Sequence, residues 1–279
     1  MKKISRRSFL AASGLTIAAL ALTACGGSAS TASSAASSVA ASSEAASTSA
    51  AAAELTTVEA GKLTMATNAA FPPYEMTTDA GAFEGIDIDT AQAIADKLGL
   101  ELQIDDMDFD AALLSVQQGK ADIAMAGVTV TDERKNVMDF SDSYATGIQS
   151  IIVPEGSDIA SPDDLAGKTI GTQRGTTGYI YCSDDFGDEN VVAYDDGLTA
   201  VQALNNGQVD AVVIDNAPAQ EFVAANPGLK VLDTSYAEED YAIGMAKGSA
   251  LEDAVNKALE ELKADGTLQA IVDKYINAN

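Results

Sequence analysis

The sequence predicts an α/β fold built on mostly parallel sheets. From about residue 63 to the C-terminus, short apolar or β-branched runs alternate with helical patterns, and such alternation is typical of sheets covered by helices on both faces. Several helical patterns are followed directly by glycine, which often ends a helix. The length that remains after an N-terminal leader suits one large domain or two lobes.

Strands are predicted wherever apolar and β-branched residues run together. In chain order they are LTMAT, LELQI, ADIAMAG, GIQSIIV, KTIGT, NVVAY, DAVVI, LKVLD and YAIGMA. The clearest helices between them cover residues 89–98, 109–118 and 198–206, each followed by a glycine (Gly99, Gly119 and Gly207). A short helix is predicted to open at Ser161-Pro162, and two amphipathic helices close the chain.

The first residues predict an export signal. A basic start, an apolar run and small residues precede Cys25, which is the pattern of a secretory signal peptide over residues 1–24. The motif LTAC, which ends at Cys25, resembles a bacterial lipobox, so we expect cleavage before Cys25 and lipidation of its thiol. A buried cysteine is the alternative. SRRSFL also resembles a twin-arginine motif, and the choice between Sec and Tat export stays open.

Residues 25–54 predict a flexible tether. They are almost entirely Ser, Ala, Gly and Thr, with Glu44 and Glu54 as the charged residues. Such a segment cannot bury enough apolar surface to offset the entropy of ordering it. We therefore expect a linker between a lipidated Cys25 and the folded part of the chain.

Charge and composition exclude several classes of function. The net charge of −26 argues against nucleic acid or an anionic membrane surface as a direct partner. The chain has no histidine, which removes Ser–His and Cys–His catalysis and histidine metal ligation. Cys182 is interpreted as a buried residue in a helix. We expect no catalytic residue, no metal and no cofactor.

Arg134 is the residue that local structure does not explain. Thr131-Asp132-Glu133 predicts a helix start, where the helix dipole favours acidic residues and disfavours a cation. One interpretation is a surface salt bridge to Asp132 or Glu133, worth about 0–1 kcal/mol. The other is a guanidinium fork that holds a carboxylate in two hydrogen bonds.

Two further strand-to-helix junctions carry polar chemistry, and ligands of α/β sheets bind outside such strand ends. GTQRGTTG fits neither a P-loop nor a dinucleotide fingerprint, so Thr176 is either a plain helix cap or part of an anion site. Asp215 is either a helix cap or an acid in a cleft. With Arg134, it would supply the two charges that an α-amino acid requires.

Several motifs in order resemble those of the extracellular solute-binding proteins of polar amino acid ABC transporters, family 3. They are ATNAAFPPYEM, GIDIDTAQAIADKLG, the long segment from MDFDAALL to FSDSY, VDAVVIDNAPAQEFV and YAIGMAKG. The resemblance runs from about residue 54 to the C-terminus. It implies a type II periplasmic-binding-protein-like fold with two α/β lobes and a two-strand hinge. Lobe 1 would comprise residues 55–148 and 238–279, and lobe 2 residues 149–237.

The resemblance also implies roles for residues at the matching positions. Arg134 would bind the ligand α-carboxylate, helped by Thr129, by the N–H of Thr177 and by the turn at Thr176. Asp215 and the carbonyl of Gly127 would take the α-ammonium group, and Phe71 and Phe109 would enclose the side chain. Asn68 and Gln173 would line its far end, while contributions from Glu75 and Arg174 stay open.

The function that this resemblance implies is ligand capture for an ABC importer. We expect a monomeric, exported lipoprotein, anchored at the outer face of the cell membrane or in the periplasm, that delivers a polar or basic L-amino acid to a membrane permease. Asn68 stands where many relatives have Asp, so the specific amino acid stays open. The alternatives are an exported enzyme of the same fold, similar to prephenate or arogenate dehydratases, and a ligand-sensing receptor.

Overall fold

The computed structural model describes residues 55–276. The predicted signal peptide and the whole predicted tether, including Cys25, lie outside the described residues. The strands are β1 (Lys62–Thr67), β2 (Ala70–Phe71), β3 (Glu75–Thr77), β4 (Phe83–Glu84), β5 (Glu101–Asp106), β6 (Ile123–Ala124), β7 (Met138–Phe140), β8 (Ala145–Pro154), β9 (Ile170–Gln173), β10 (Val191–Tyr194), β11 (Ala211–Asp215), β12 (Leu229–Val231), β13 (Ala237–Tyr241) and β14 (Gly244–Ala246).

The α-helices alternate with these strands. They are α1 (Ile86–Leu98), α2 (Phe109–Gln117), α3 (Asp132–Lys135), α4 (Thr177–Phe186), α5 (Gly197–Asn205), α6 (Asn216–Ala225), α7 (Glu252–Ala264) and α8 (Thr267–Tyr275). The short helix predicted at Ser161-Pro162 is a 3₁₀ turn, Pro162–Leu165, with a complete capping box. Gly99 ends α1 in the left-handed conformation (φ 70°), as the sequence predicted. In the described part of the chain, no helix has the length and apolar character needed to cross a membrane.

Two mixed sheets form the framework. The first has the order β5-β1-β6-β14-β7, and the second has the order β10-β9-β11-β8-β12, with β13 paired to β8. Strands β2, β3 and β4 form a small third sheet. The apolar strands are buried as expected: five of the six residues of β1 and all five of β11 are buried.

The prediction of mostly parallel sheets is wrong for part of each sheet. Strand β1 is parallel to β5 and β6, and β9 is parallel to β10 and β11, but β8 and β14 are antiparallel to their neighbours. The chain passes between the sheets twice, from β7 to β8 and from β13 to β14. Strands β8 and β14 each enter their sheet from a crossing, and each runs antiparallel to the neighbouring parallel strand, β11 or β6.

The segment around β13 also differs from the prediction. YAIGMA was expected to form one strand, but Tyr241 ends β13 and only Gly244–Ala246 forms β14. Strand β13 was missed because its sequence, AEEDY, is rich in residues that are rare in strands. It is extended because it pairs with β8 along its whole length.

Cys182 lies in α4 and is fully buried, as predicted. Burial raises the pKa of its thiol to about 12. A protonated, inaccessible thiol is unreactive, so the side chain acts as a small apolar residue of the core.

Candidate ligand-binding site

All of the residues that were predicted to bind a ligand line one cavity. They are Asn68, Phe71, Phe109, Gly127, Thr129, Arg134, Gln173, Thr176, Thr177 and Asp215. Glu75, Ala126, Gln149, Val213 and Ile214 complete the lining. The structure therefore brings the predicted set together, while the binding role of each residue stays a prediction.

The parallel strands explain this convergence. Asn68 follows the end of β1, Gly127 follows β6, Gln173 ends β9 and Asp215 ends β11. Strand ends of this kind share one edge of a sheet, and the helices that follow begin there. The cavity thus lies between the corresponding edges of the two large sheets.

Arg134 lines this cavity, and its guanidinium is fixed by two hydrogen bonds to backbone carbonyls. Thr131 caps α3 by accepting a hydrogen bond from the N–H of Arg134 at 3.1 Å. The guanidinium donates from Nη1 to the carbonyl of Thr129 (2.7 Å) and from Nη2 to that of Gly175 (3.2 Å), and it lies 5.3 Å from the centre of the Phe109 ring. Among residues 55–276, two of its five N–H groups are thus engaged in hydrogen bonds and three are not.

The salt-bridge interpretation of Arg134 is wrong for this structure. Its side chain is only 8% exposed, and within residues 55–276 it makes no ion pair with Asp132, Glu133 or any other acid. Burial lowers the pKa of the guanidinium, and the charge of Glu239 opposes that change. Arginine nevertheless stays charged in proteins, so a buried cation borders the cavity.

Asp215 occupies the N-cap position of α6, but its side chain does not cap the helix. The carboxylate instead accepts hydrogen bonds from Nε2 of Gln149 at 2.8 Å and from the hydroxyl of Tyr241. The pKa of Asp215 is raised to about 7. Burial is the main cause and the charge of Glu239 adds to it, whereas the hydrogen bonds from Tyr241 and Gln149 oppose the shift. The geometry decides against the cap interpretation and places a carboxyl group at the cavity.

Thr176 caps α4 and also borders the cavity. Its hydroxyl accepts a long hydrogen bond (3.4 Å) from the N–H of Tyr179 as the cap of α4, and the residue also lines the cavity. Thr177 is the first residue of α4, where a backbone N–H has no partner inside the helix. The start of α4 therefore offers hydrogen-bond donors to the cavity.

Asn68 and Gln173 lie in direct contact at one side of the cavity. Nε2 of Gln173 donates to Oδ1 of Asn68 at 2.9 Å, and Nδ2 of Asn68 donates to the carbonyl of Met107 at 3.0 Å. Their side chains are 9% and 5% exposed, respectively. This pair forms a bridge between the two sheets and closes one side of the cavity.

A hydrogen-bond network links the cavity to the crossing strands. Oε2 of Glu239, on β13, accepts from the hydroxyl of Thr129 at 3.1 Å and from Nε2 of Gln149, on β8, at 3.0 Å. Sequence reasoning missed Gln149, Glu239 and Tyr241. The signal for Gln149 was present, because it is a polar residue within the otherwise apolar run GIQSIIV. Glu239 had no such signal, since it lies in an acidic segment that resembles a loop.

Glu75 and Arg174, whose roles the sequence left open, differ in position. Glu75 lines the cavity and is fully buried. Arg174 does not line it: its side chain is 56% exposed and lies 3.7 Å from Asp195. Arg174 therefore does not supply this cavity with a second cation that could pair with an acidic ligand.

The profile of the bacterial extracellular solute-binding proteins, family 3, matches residues 63–278 of the chain. The chain belongs to this family. Its fold is the predicted two-lobed, type II periplasmic-binding-protein-like fold, which the structural relatives confirm. Members of the family bind solutes.

Relatives of this solute-binding protein bind amino acids. It is 33% identical to the L-cystine-binding protein TcyJ of Escherichia coli, over 79% of this chain and 85% of the relative. The arginine-, lysine-, histidine-binding protein ArtJ of Geobacillus stearothermophilus has 35% identity and a TM-score of 0.75, over 78% of this chain and 96% of that chain. An ancestral arginine-binding protein bound to glutamine has 42% identity and a TM-score of 0.74, over 77% and 98%.

Proposed function

We propose that this solute-binding protein captures a polar or basic L-amino acid in the cavity between its sheets and delivers it to the permease of an ABC importer. One observation carries the proposal: a buried guanidinium with three unused N–H groups and a buried carboxyl group border the same cavity. The α-carbon of an amino acid bears a carboxylate and an ammonium group, which require one partner of each kind.

The polar groups of the cavity suit the two charges of a zwitterion. Arg134 would hold the α-carboxylate, with the N–H of Thr177 as a further donor. Asp215 and the carbonyl of Gly127 would hold the ammonium group. Thr129 would join the carboxylate site only if its hydroxyl turned away from Glu239, to which it now donates.

The rest of the cavity supports a ligand with a polar side chain. Phe71 and Phe109 are largely buried there and would enclose the aliphatic part of the ligand. Asn68, Gln173 and Glu75 would border its polar end. The ligands named for the relatives, L-cystine, arginine, lysine, histidine and glutamine, all carry polar or charged groups.

The remaining parts of the proposal concern delivery. Residues 55–148 and 238–279 would form lobe 1 and residues 149–237 lobe 2, and closure about the crossing strands would create the surface that the permease recognises. The protein would act as a monomer without catalytic activity, exported and anchored through a lipid on Cys25. A Cys25→Ser variant should then move from the membrane fraction to the soluble fraction with unchanged ligand affinity.

A thermal-shift screen tests the proposed ligand class. The full set of protein amino acids, with ornithine, citrulline and cystine, would be added to the purified protein. A ligand at a hundred times its Kd should stabilise the fold by about 2.7 kcal/mol, so a group of polar or basic amino acids should raise the Tm and the others should not. If no amino acid changes the Tm, and calorimetry detects no binding, the proposed function is wrong.

A further inference from the structure

Glu75 is a buried acid whose surroundings do not favour its charge. It lies on β3, it is fully buried, and its side chain borders the cavity. Within residues 55–276, neither of its carboxyl oxygens receives a hydrogen bond. A buried carboxylate normally accepts several hydrogen bonds or pairs with a cation. The position of Glu75 therefore requires either a proton on the carboxyl group or a partner from outside the chain.

The neighbouring acid, Asp87, has the opposite surroundings. Oδ2 of Asp87 accepts the N–H of Gly127 at 3.0 Å, and the hydroxyl of Tyr144 lies 2.7 and 2.8 Å from its two oxygens. These donors stabilise a negative charge on Asp87. Burial raises the pKa of Asp87 to about 6, and the bonds from Gly127 and Tyr144 oppose that shift. Of the two acids, Asp87 has the donors, so a proton shared between them belongs on Glu75.

Three neighbouring acids act on Glu75 in the same direction as its burial. Burial raises the pKa of Glu75 well above its usual range, and the charges of Asp87 on α1, Asp215 on β11 and Asp106 on β5 raise it further. A proton on Glu75 can also be donated to Asp87 as a hydrogen bond. Burial and the charges of Asp87 and Asp215 also raise the pKa of the neighbouring Tyr74, so its hydroxyl stays protonated.

We propose that Glu75 is protonated in the empty cleft and releases this proton to solvent when a ligand with a cationic side chain binds. The proposal rests on the proposed function and deepens it. An ionised Glu75 would accept N–H groups from a guanidinium or ammonium, whereas the protonated form would donate to the oxygen of an amide or ureido group. One cavity would thus admit basic and neutral polar amino acids, and the protonation state of Glu75 would distinguish them.

The proton released by Glu75 must be distinguished from the proton released by Asp215. Because the pKa of Asp215 is raised to about 7, the α-ammonium of any amino acid should displace part of a proton there. That contribution is common to all ligands. The difference in proton release between a cationic and a neutral ligand of the same shape isolates Glu75, and arginine and citrulline form such a pair.

Isothermal titration calorimetry in buffers of different ionisation enthalpy measures the released protons. At the same pH, arginine should release about one proton more than citrulline, and over one pH unit the affinity for arginine should rise about tenfold more than the affinity for citrulline. Glu75→Gln should remove the difference in proton release and weaken arginine binding at least about tenfold more than citrulline binding. Glu84→Gln, in the adjacent strand of the same small sheet, is the matched control and should behave like the parent protein.

The comparison in the parent protein decides the proposal even if Glu75→Gln does not fold. Equal proton release for arginine and citrulline, or binding of one ligand but not the other, would overturn the role assigned to Glu75 while leaving amino acid capture intact. If no amino acid bound at all, the proposed function itself would be wrong.

Discussion

Arg134 donates a hydrogen bond from Nη2 to the carbonyl oxygen of Gly175 over 3.2 Å. Arg134 belongs to α3, next to β7 of the first sheet, and Gly175 belongs to the turn that follows β9 of the second sheet. The bond therefore connects the two halves of the protein directly at the cavity. Both ends of this contact can be changed by mutation, and each change has a control elsewhere in the chain.

Arg134→Ala should abolish amino acid binding, and Arg134→Lys should weaken it strongly. Charge-assisted hydrogen bonds contribute about 1.5–3 kcal/mol each, and a lysine cannot reproduce the bidentate fork. The affinity should fall by at least about a hundredfold for Lys, as measured by calorimetry. Arg174→Ala is the control, because Arg174 is exposed and does not line the cavity. Similar losses for Arg134→Lys and Arg174→Ala would contradict the carboxylate site.

Gly175→Ala should weaken ligand binding through a steric effect. Gly175 has a φ of 72°, and a Cβ there would overlap the carboxylate of Asp110. Gly167 has a similar φ of 75° but open space around it. Both variants should lose about 1–2 kcal/mol of unfolding free energy from the left-handed backbone. Only Gly175→Ala should also lose about tenfold or more in affinity; equal affinities would show that the turn does not approach the ligand.

Glu239→Ala should impair both stability and binding. It would leave the hydroxyl of Thr129 and one hydrogen bond of Gln149 without their buried acceptor, which costs about 1–3 kcal/mol. Its neighbour Glu238 is exposed on the same strand, so Glu238→Ala should change little. Urea denaturation and ligand titration of both variants provide the test. If the two variants were indistinguishable, the network would not support the site.

The ligand-free protein should be less stable at pH 8 than at pH 5. The pKa values of Asp87 and Asp215 are raised to about 6 and about 7, whereas unfolded aspartate titrates near about 3.9. Between these values the folded state binds more protons than the unfolded state, so its stability falls as pH rises. Urea denaturation at both pH values measures this, and Asp215→Asn should reduce the difference. Greater stability at pH 8 would refute the assignment of these shifts.

Much of the fold and of the candidate site could be predicted from short stretches of sequence. The Thr131 and Thr176 caps, the glycine that ends α1 and the apolar strands β1 and β11 all depend on interactions within a few residues. The strand-to-helix junctions were recognisable for the same reason. The ends of parallel strands share one edge of a sheet, but Arg134 lies beside the first sheet and Asp215 in the second, so their meeting at one cavity followed only from the resemblance, which implied two lobes around a cleft.

Tertiary structure alone decided how the polar side chains are paired. The sequence permitted Asp215 to cap α6, but Gln149 and Tyr241, distant in the chain, turn its carboxylate to the cavity. The acidic strand β13 exists because β8 supplies its hydrogen bonds. Folding buries Glu75 beside Asp87 with no hydrogen-bond donor among residues 55–276, and this burial raises the pKa of its carboxyl group. These outcomes depend on desolvation and long-range contacts, which local sequence patterns do not encode.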